Sequence, residues 1–287
     1  MKNGTPFPAR IHVLLARDKP LGLVIRRGPS KHVATILWDC RRDKFQLGQW
    51  LKGLIYERRS DLSPDGKYFI YFAMNGRWQG EAKGSWTAIS RTPYLTALAI
   101  FPKGDCYNGG GLWTSRNTYW LNNGYGHSVL RDTQKVSRDK KFQPSEYFDA
   151  GDYWFYEGLG IYYPRLIRYG WEFVEKIKVG KWEARYIFEK TFGDGWLLRK
   201  IAHAEQSNPP EGKSSDWDEH ELIHAQTNTH IRCPNWEWAD IERRRLVWAT
   251  EGKLFRGKVT PQGTFTQRSI FDFNPMTFEA IKEPHRY

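Results

Sequence analysis

A chain of 287 residues is long enough to bury a large core, and 16% aromatic residues, 14 of them Trp, place it far from a disordered composition. The net charge of +12 points either to an acidic partner or to basic outer edges and turns. No stretch approaches the uninterrupted apolar run of a membrane span, so the chain reads as soluble, with no membrane partner expected.

The amino terminus has one short apolar run, Ile11 to Ala16, closed off by Arg17 and Asp18, and this does not make a secretory signal. Cys40, Cys106 and Cys233 are odd in number, widely spaced and free of any C-x-x-C pattern. Together these features favour a reducing cytoplasm over an exported, disulfide-stapled domain.

Taken in order, the predicted elements are short strands. Ile11–Ala16 and Leu21–Arg26 flank a charged turn ending in Pro20; Val33–Trp38 and Phe45–Leu51 flank Asp39-Cys40-Arg41-Arg42-Asp43-Lys44. A second group comprises Tyr68–Met74, Ser85–Ser90 and Leu95–Phe101. From Gly104 to His127 two short aromatic strands lie among many glycines, and Arg131 to Pro144 reads as an exposed loop. Strands are then expected at Tyr153–Tyr156, Ile161–Tyr163, Leu166–Tyr169, Glu172–Val179, Ala184–Lys190 and Trp196–His203. Gln206 to Asp216 is the clearest linker-like loop. Beyond it, residues 236–259 read as strand, charged turn, strand, Glu-Gly-Lys turn and strand, and residues 265–281 supply another pair.

The most informative stretch is Asp61 to Phe72, D-L-S-P-D-G-K-Y-F-I-Y-F. Pro64 presets its φ for the second position of a β-turn, Asp65 tolerates the third and Gly66 accepts the positive φ that follows. Beyond the turn, Phe69, Tyr71 and Ala73 point to one side and Tyr68, Ile70, Phe72 and Met74 to the other, so the strand must be buried on both faces. The Ser63-Pro64-Asp65-Gly66-Lys67 turn leading into an aromatic strand resembles the repeat of TolB-like and WD40-like β-propellers, and the strand groups recur at about the 40–50 residue spacing of a four-stranded blade. The resemblance implies an all-β fold: one β-propeller-like domain over residues 1–287, of five or six antiparallel blades. It also implies closure by Ile11–Ala16 joining the last blade near Ile270–Ala280. Propellers of this kind are most often binding platforms.

One motif argues for a different chemistry. His220-Glu221-Leu222-Ile223-His224 is H-E-x-x-H, with His230 at the spacing of a third ligand. On a helix, His220, His224 and His230 would hold zinc and Glu221 would act as general base on the bound water, as in a zinc metallopeptidase. Thr227 stands where the extended motif has glycine, and Met276 is the only later methionine. The same residues also read as a hairpin, with Glu221–Ala225 and His230–Arg232 as strands and Gln226–Thr229 as the turn; no cofactor is then needed.

Other chemistry is less specific. Asp105, Cys106, Tyr107, Trp113, Tyr119, Trp120 and His127 form an aromatic and polar cluster suited to the mouth of a propeller, where Asp105, Tyr107, Trp113, Trp120 and His127 would contact a ligand. Cys106 lacks a base at a diagnostic spacing, and Gly109-Gly110-Gly111 fits a crowded strand end better than a nucleotide-binding turn. Gly212-Lys213-Ser214 is no phosphate loop, because Ser207 replaces the first glycine and Pro209 and Pro210 remove backbone donors. Thirteen Lys and Arg against four acids in residues 1–60, with His32, Trp38, Trp50 and Tyr56 interleaved, would suit nucleic-acid association by phosphate contact and stacking. The functional expectation is a non-enzymatic binding platform for a protein partner across one face, with the zinc peptidase and nucleic-acid association as alternatives.

Overall fold

A computed structural model describes residues 7–28, 31–124, 126–148, 158–193 and 195–284. The chain divides into two compact units. The first runs through Arg165 and takes in the segment that begins at Asn274, and the second is Leu166–Phe273.

Among the described residues the first unit contains three sheets. Sheet one is β1 (Arg10–Leu15), β2 (Leu21–Arg27), β3 (His32–Asp39) and β4 (Lys44–Lys52), and sheet two is β5 (Leu54–Leu62), β6 (Tyr68–Met74), β7 (Ser85–Arg91) and β8 (Ala97–Pro102), both antiparallel in sequence order. Sheet three is smaller: β9 (Gly111–Trp113) pairs antiparallel with β10 (Thr118–Leu121), which pairs parallel with the two-residue β11 (Ser137–Arg138).

Sheet two is sandwiched between the other two, as the alternation in β6 requires. Phe69, Tyr71 and Ala73 join Leu14, Leu23 and Ile25 of sheet one. Ile70, from the other side of the same strand, packs with Trp113, Tyr119 and Leu121 of sheet three. The turn before β6 is locked by its own side chains. Ser63 Oγ donates to Asp65 Oδ1 at 2.9 Å and accepts from the Tyr68 N–H at 2.9 Å, while Gly66 takes φ +75°. Burial would raise the Asp65 carboxyl, but hydrogen bonds from Ser63 and Lys67, with the Lys67 charge, hold it below its usual value.

The second unit contains two antiparallel sheets. Sheet four is β12 (Glu172–Lys178), β13 (Ala184–Phe192), β14 (Trp196–Ala204), β15 (Trp217–His224) and β16 (Thr229–Arg232); sheet five is β17 (Trp238–Glu242), β18 (Arg245–Thr250), β19 (Lys253–Val259) and β20 (Phe265–Asp272). Tight turns set the registers of sheet five. Arg243 and Arg244 both take positive φ between β17 and β18, and Glu251 and Gly252 do so between β18 and β19. The two sheets meet through polar groups as well as Trp: Lys190 Nζ lies 2.8 Å from Asp240 Oδ1, and Trp171 Nε1 donates to Asp240 Oδ2 at 3.3 Å.

The all-β expectation holds, with three corrections. Ile161–Tyr163 and Leu166–Tyr169 are not strands. A π-helical turn, Gly158–Tyr162, runs into the short helix α1 (Tyr163–Arg168). Pro164 sits in its first turn, where a missing N–H costs nothing, and Arg165 reaches the Glu57 carbonyl at 2.9 Å and that of Ser60, with its guanidinium 5.2 Å from the Tyr162 ring. Second, β1 pairs with β2 in sheet one while β20 is the edge of sheet five, so the expected strand closure is not formed. The Ala9 N–H donates instead to the Asn274 side chain at 2.9 Å. Third, residues 274–284 form no strand; Pro275 and Pro284 bracket them and lack the N–H of a ladder. The expected strand Tyr153–Tyr156 lies outside the described residues.

Candidate binding site

The H-E-L-I-H residues lie in β15 and turn into β16 at Ala225–Asn228, a hairpin close to the one read from the Thr and Asn turn. The strand period then separates the expected ligands. His220, Leu222 and His224 share one face, while Glu221 and Ile223 share the other, where His230 stands opposite Ile223. His230 Nε2 accordingly lies 3.1 Å from Glu221 Oε2, in a surface network with Arg199 and Arg232.

His220 is buried, with Nε2 2.8 Å from Lys200 Nζ, and Lys200 pairs with Asp218 at 3.5 Å. Burial and then the Lys200 charge push the His220 imidazole well below its ordinary value, so it is a neutral acceptor for the ammonium. His224 Nδ1 accepts from the Thr227 N–H at 3.2 Å, and its ring meets Trp196 edge-on at 5.0 Å. The helical zinc face of the peptidase reading is therefore not formed. Among the described residues no three or more His, Cys, Asp or Glu side chains are grouped to hold a metal ion.

The cluster expected between Asp105 and His127 is brought together only in part. Lys103 Nζ, its side chain buried, pairs with Asp105 Oδ2 at 2.8 Å. Thr87 Oγ1 accepts the Gly110 N–H at 2.7 Å and lies 3.4 Å from His127 Nε2, and Ser85 Oγ donates to the Asp105 carbonyl at 2.6 Å. Burial, then the charge of Lys103, lowers the His127 imidazole to about 4. Trp113 and Trp120 belong elsewhere: Trp113 is core, stacked on Tyr68 at 5.7 Å, and Trp120 sits on the other side of sheet three, on Phe142 at 6.0 Å. Tyr107 projects into solvent, and Cys106 is an exposed free thiol whose carbonyl accepts from Arg59 at 2.6 Å. The glycine run is the crowded strand end expected, since a Cβ on Gly110 would overlap the Arg59 carbonyl oxygen and one on Gly109 the Phe72 ring.

In the basic amino-terminal region Arg10, Arg17, Lys19, Lys31, Arg41, Arg42, Lys44 and Lys52 are exposed, while His32, Trp50 and Tyr56 are half-buried. Arg26 and Arg58 are buried, Arg27 pairs with Glu57 at 2.9 Å, and Trp38 is fully buried against Phe45.

A better-formed site emerges where the carboxy-terminal segment crosses sheets one and two. The segment is an extended strap held by side chains of the first unit. Arg26 donates to the Met276 carbonyl at 3.1 Å, and its guanidinium lies 5.3 Å from the Trp50 ring. Phe278 meets Trp50 at 6.2 Å and His32 at 5.7 Å. Gln49 Nε2 donates to the Ile281 carbonyl at 2.9 Å, while its Oε1 accepts the N–H groups of Leu95 at 2.7 Å and Thr96 at 2.9 Å. Arg91 pairs with Glu283 at 3.5 Å.

Beneath the strap lies a cavity of about 630 Å³. Trp50, Tyr71, Trp86, Leu95, Ala97 and Ile100 line it together with strap residues 278–282, and Gln49 and Thr96 add polar groups. The Trp50 indole N–H is buried without a hydrogen-bond partner. A cavity of this size, apolar walls and few polar groups is what a ligand or an inserted side chain occupies. Sequence reading missed it because Gln49 and Trp50 lie in an ordinary alternating strand and the strap lies more than two hundred residues away. The two prolines bracketing the strap were the available signal.

Comparison with known protein families and with curated proteins finds no match for this chain.

Proposed function

We propose that the protein is a non-enzymatic binding platform of β-propeller type, with its five sheets as blades, and that it holds a protein partner by an extended segment at the strap-walled cavity. The observation that carries this reading is the strap itself. Residues 274–284 are an irregular polypeptide held by side-chain hydrogen bonds to its carbonyls, by an aromatic contact and by an ion pair. A foreign extended segment would be held by the same means, with one apolar side chain entering the cavity beside the strap. The face-to-face stacking of sheet two between sheets one and three supports the blade reading. The three cysteines, all free, suit a reducing cytoplasm.

The test is a display selection of random extended peptides on the full-length protein, run in parallel on an Ala97→Trp variant whose indole fills the cavity. The reading expects peptides sharing an aromatic or branched aliphatic anchor on the parent and none of these on the variant. Selection of no common anchor, or of the same peptides on both proteins, would overturn it.

A further inference from the structure

The outer hairpin of sheet four has a surface that the proposed binding site does not use. Among the described residues β12 is an edge strand, hydrogen-bonded to β13 alone, and every one of its seven residues is exposed. Between Phe173 and Trp182 five large apolar side chains, Phe173, Val174, Ile177, Val179 and Trp182, are each 37–53% exposed. Isolated apolar residues on a surface are ordinary, but five in ten positions of one hairpin mark a contact surface.

The arrangement says which kind of surface it meets. Phe173 stands opposite the buried Phe188, their rings 5.4 Å apart, and Ile177 opposite Arg185; residues 185 and 188 lie on opposite faces of β13, so apolar side chains over a third exposed stand on both faces of the edge strand. A single protein surface covers one face. The irregularity between Phe173 and Glu175 also breaks the row of donors and acceptors that strand addition needs. A lipid interface, by contrast, can meet the side chains that project from both faces along the outer edge of the ribbon, while Tyr186 and Phe188 of β13 stay buried.

Charge agrees with this. Lys176, Lys178 and Lys181 gather toward the tip; the Lys176 ammonium lies 5.3 Å from the Tyr186 ring and the Lys181 ammonium 5.2 Å from the Trp182 ring. Of the acids, Glu172 lies at the far end of the strand, Glu175 stands at its middle before the lysines begin, and Glu183 accepts the Ser207 N–H at 3.0 Å. Trp and Lys side by side are the residues that settle at a headgroup boundary, the ring in the interface and the ammonium at the phosphates. The chain as a whole carries +12.

We propose that the β12–β13 hairpin docks the protein on an anionic lipid surface by inserting Val179 and Trp182 at headgroup depth. This is surface attachment and needs no spanning helix; among the described residues no helix is long and apolar enough to cross a membrane.

The test is co-sedimentation of the full-length protein with vesicles of phosphatidylcholine alone and with vesicles containing phosphatidylserine at about one lipid in four. The parent should sediment with the anionic vesicles and not with the neutral ones. Lys178→Glu with Lys181→Glu, and separately Val179→Ser with Trp182→Ser, should each weaken that binding at least tenfold with unchanged thermal unfolding. The difference in emission between the parent and Trp182→Phe should shift to the blue when anionic vesicles are added. Failure to sediment with anionic vesicles would overturn the proposal, and so would binding that neither double variant alters. Self-association of the free protein that disappears in the Val179→Ser, Trp182→Ser variant would likewise overturn it, by assigning the hairpin to a second copy of the chain.

Discussion

β6 and β12 are strands of equal length, seven residues each, with opposite fates. Y-F-I-Y-F-A-M is buried along nearly its whole length, because sheet one packs on one of its faces and sheet three on the other. E-F-V-E-K-I-K is exposed at every position, because nothing in its own unit lies beyond it on the open side of sheet four. Both carry aromatic and β-branched residues suited to a pleated ribbon. The difference lies in the company: β6 has hydrogen-bonded neighbours on both edges and apolar neighbours on both faces, whereas β12 has one edge partner and charges between its apolar residues. A strand that alternates only apolar residues belongs inside a stack, and one that interleaves Glu and Lys with them belongs at a boundary.

The contrast can be broken by substitution. Phe72→Ala should remove about 3–5 kcal/mol of stability, because the ring is fully buried between Tyr56, Arg59 and Gly109. Urea unfolding with an unchanged m-value is the measurement, and a loss below about 1 kcal/mol would refute the packing described for β6. Gly110→Ala should cost about 2–4 kcal/mol, since the residue takes φ +78° and its new Cβ would meet the Arg59 carbonyl. Near-parental stability would show that the strand end is not crowded.

The strap lies between these extremes. Gln49→Ala removes the donor to Ile281 and the acceptor for Leu95 and Thr96, and should cost about 1–2 kcal/mol. Limited proteolysis should show faster cleavage within residues 274–284; cleavage no faster than in the parent would mean that Gln49 does not clamp the strap.

A smaller effect concerns pH. His127 has a folded value lowered from 6.5 to about 4, so the unfolded chain binds the extra proton first. The contribution of the neutral ring is complete above pH 6.5 and is lost as the pH falls toward 4. His127→Gln should make the stability profile shallower across that window, with the depressed His203 and His220 keeping the remaining slope, and an equally steep profile in the variant would remove His127 as a contributor. Smallest of all, Ile177→Ala in β12 should change stability by less than about 0.5 kcal/mol, and a change comparable to that of Phe72→Ala would abolish the distinction between the two strands.

Much of this architecture was legible in the residues, and the limits have physical causes. The Ser63–Lys67 turn and the two-sided burial of Tyr68–Met74 follow from local rules: a proline that presets φ, a glycine that accepts a positive one, and side chains alternating about a strand. The H-E-L-I-H segment carried two readings because its spacing of four puts His220 and His224 on a common face in helix and strand alike. Only the pairing with β14 and β16, and the position of His230 across the sheet, separates them. Residues 161–169 look like strands because aromatic and branched residues are common to strands and buried helices; Pro164 was the sign of a first helical turn. β5 escaped notice because Glu57-Arg58-Arg59-Ser60-Asp61 is polar, yet Arg58 and Asp61 are buried and Asp61 Oδ2 accepts the Trp113 N–H at 2.8 Å. The strap cavity was out of reach of any local pattern, since it is made by Gln49 and Trp50 meeting residues near 280.

The central claim is that the strap-walled cavity is where a partner is held. Its most direct measurement is calorimetric titration of a display-selected peptide into the full-length protein and into Ala97→Trp, with thermal unfolding recorded for both. The account predicts saturable one-to-one binding to the parent and at least a tenfold loss in the variant at an unchanged unfolding temperature. Equal affinity for the two proteins would contradict it and place the partner elsewhere on the molecule.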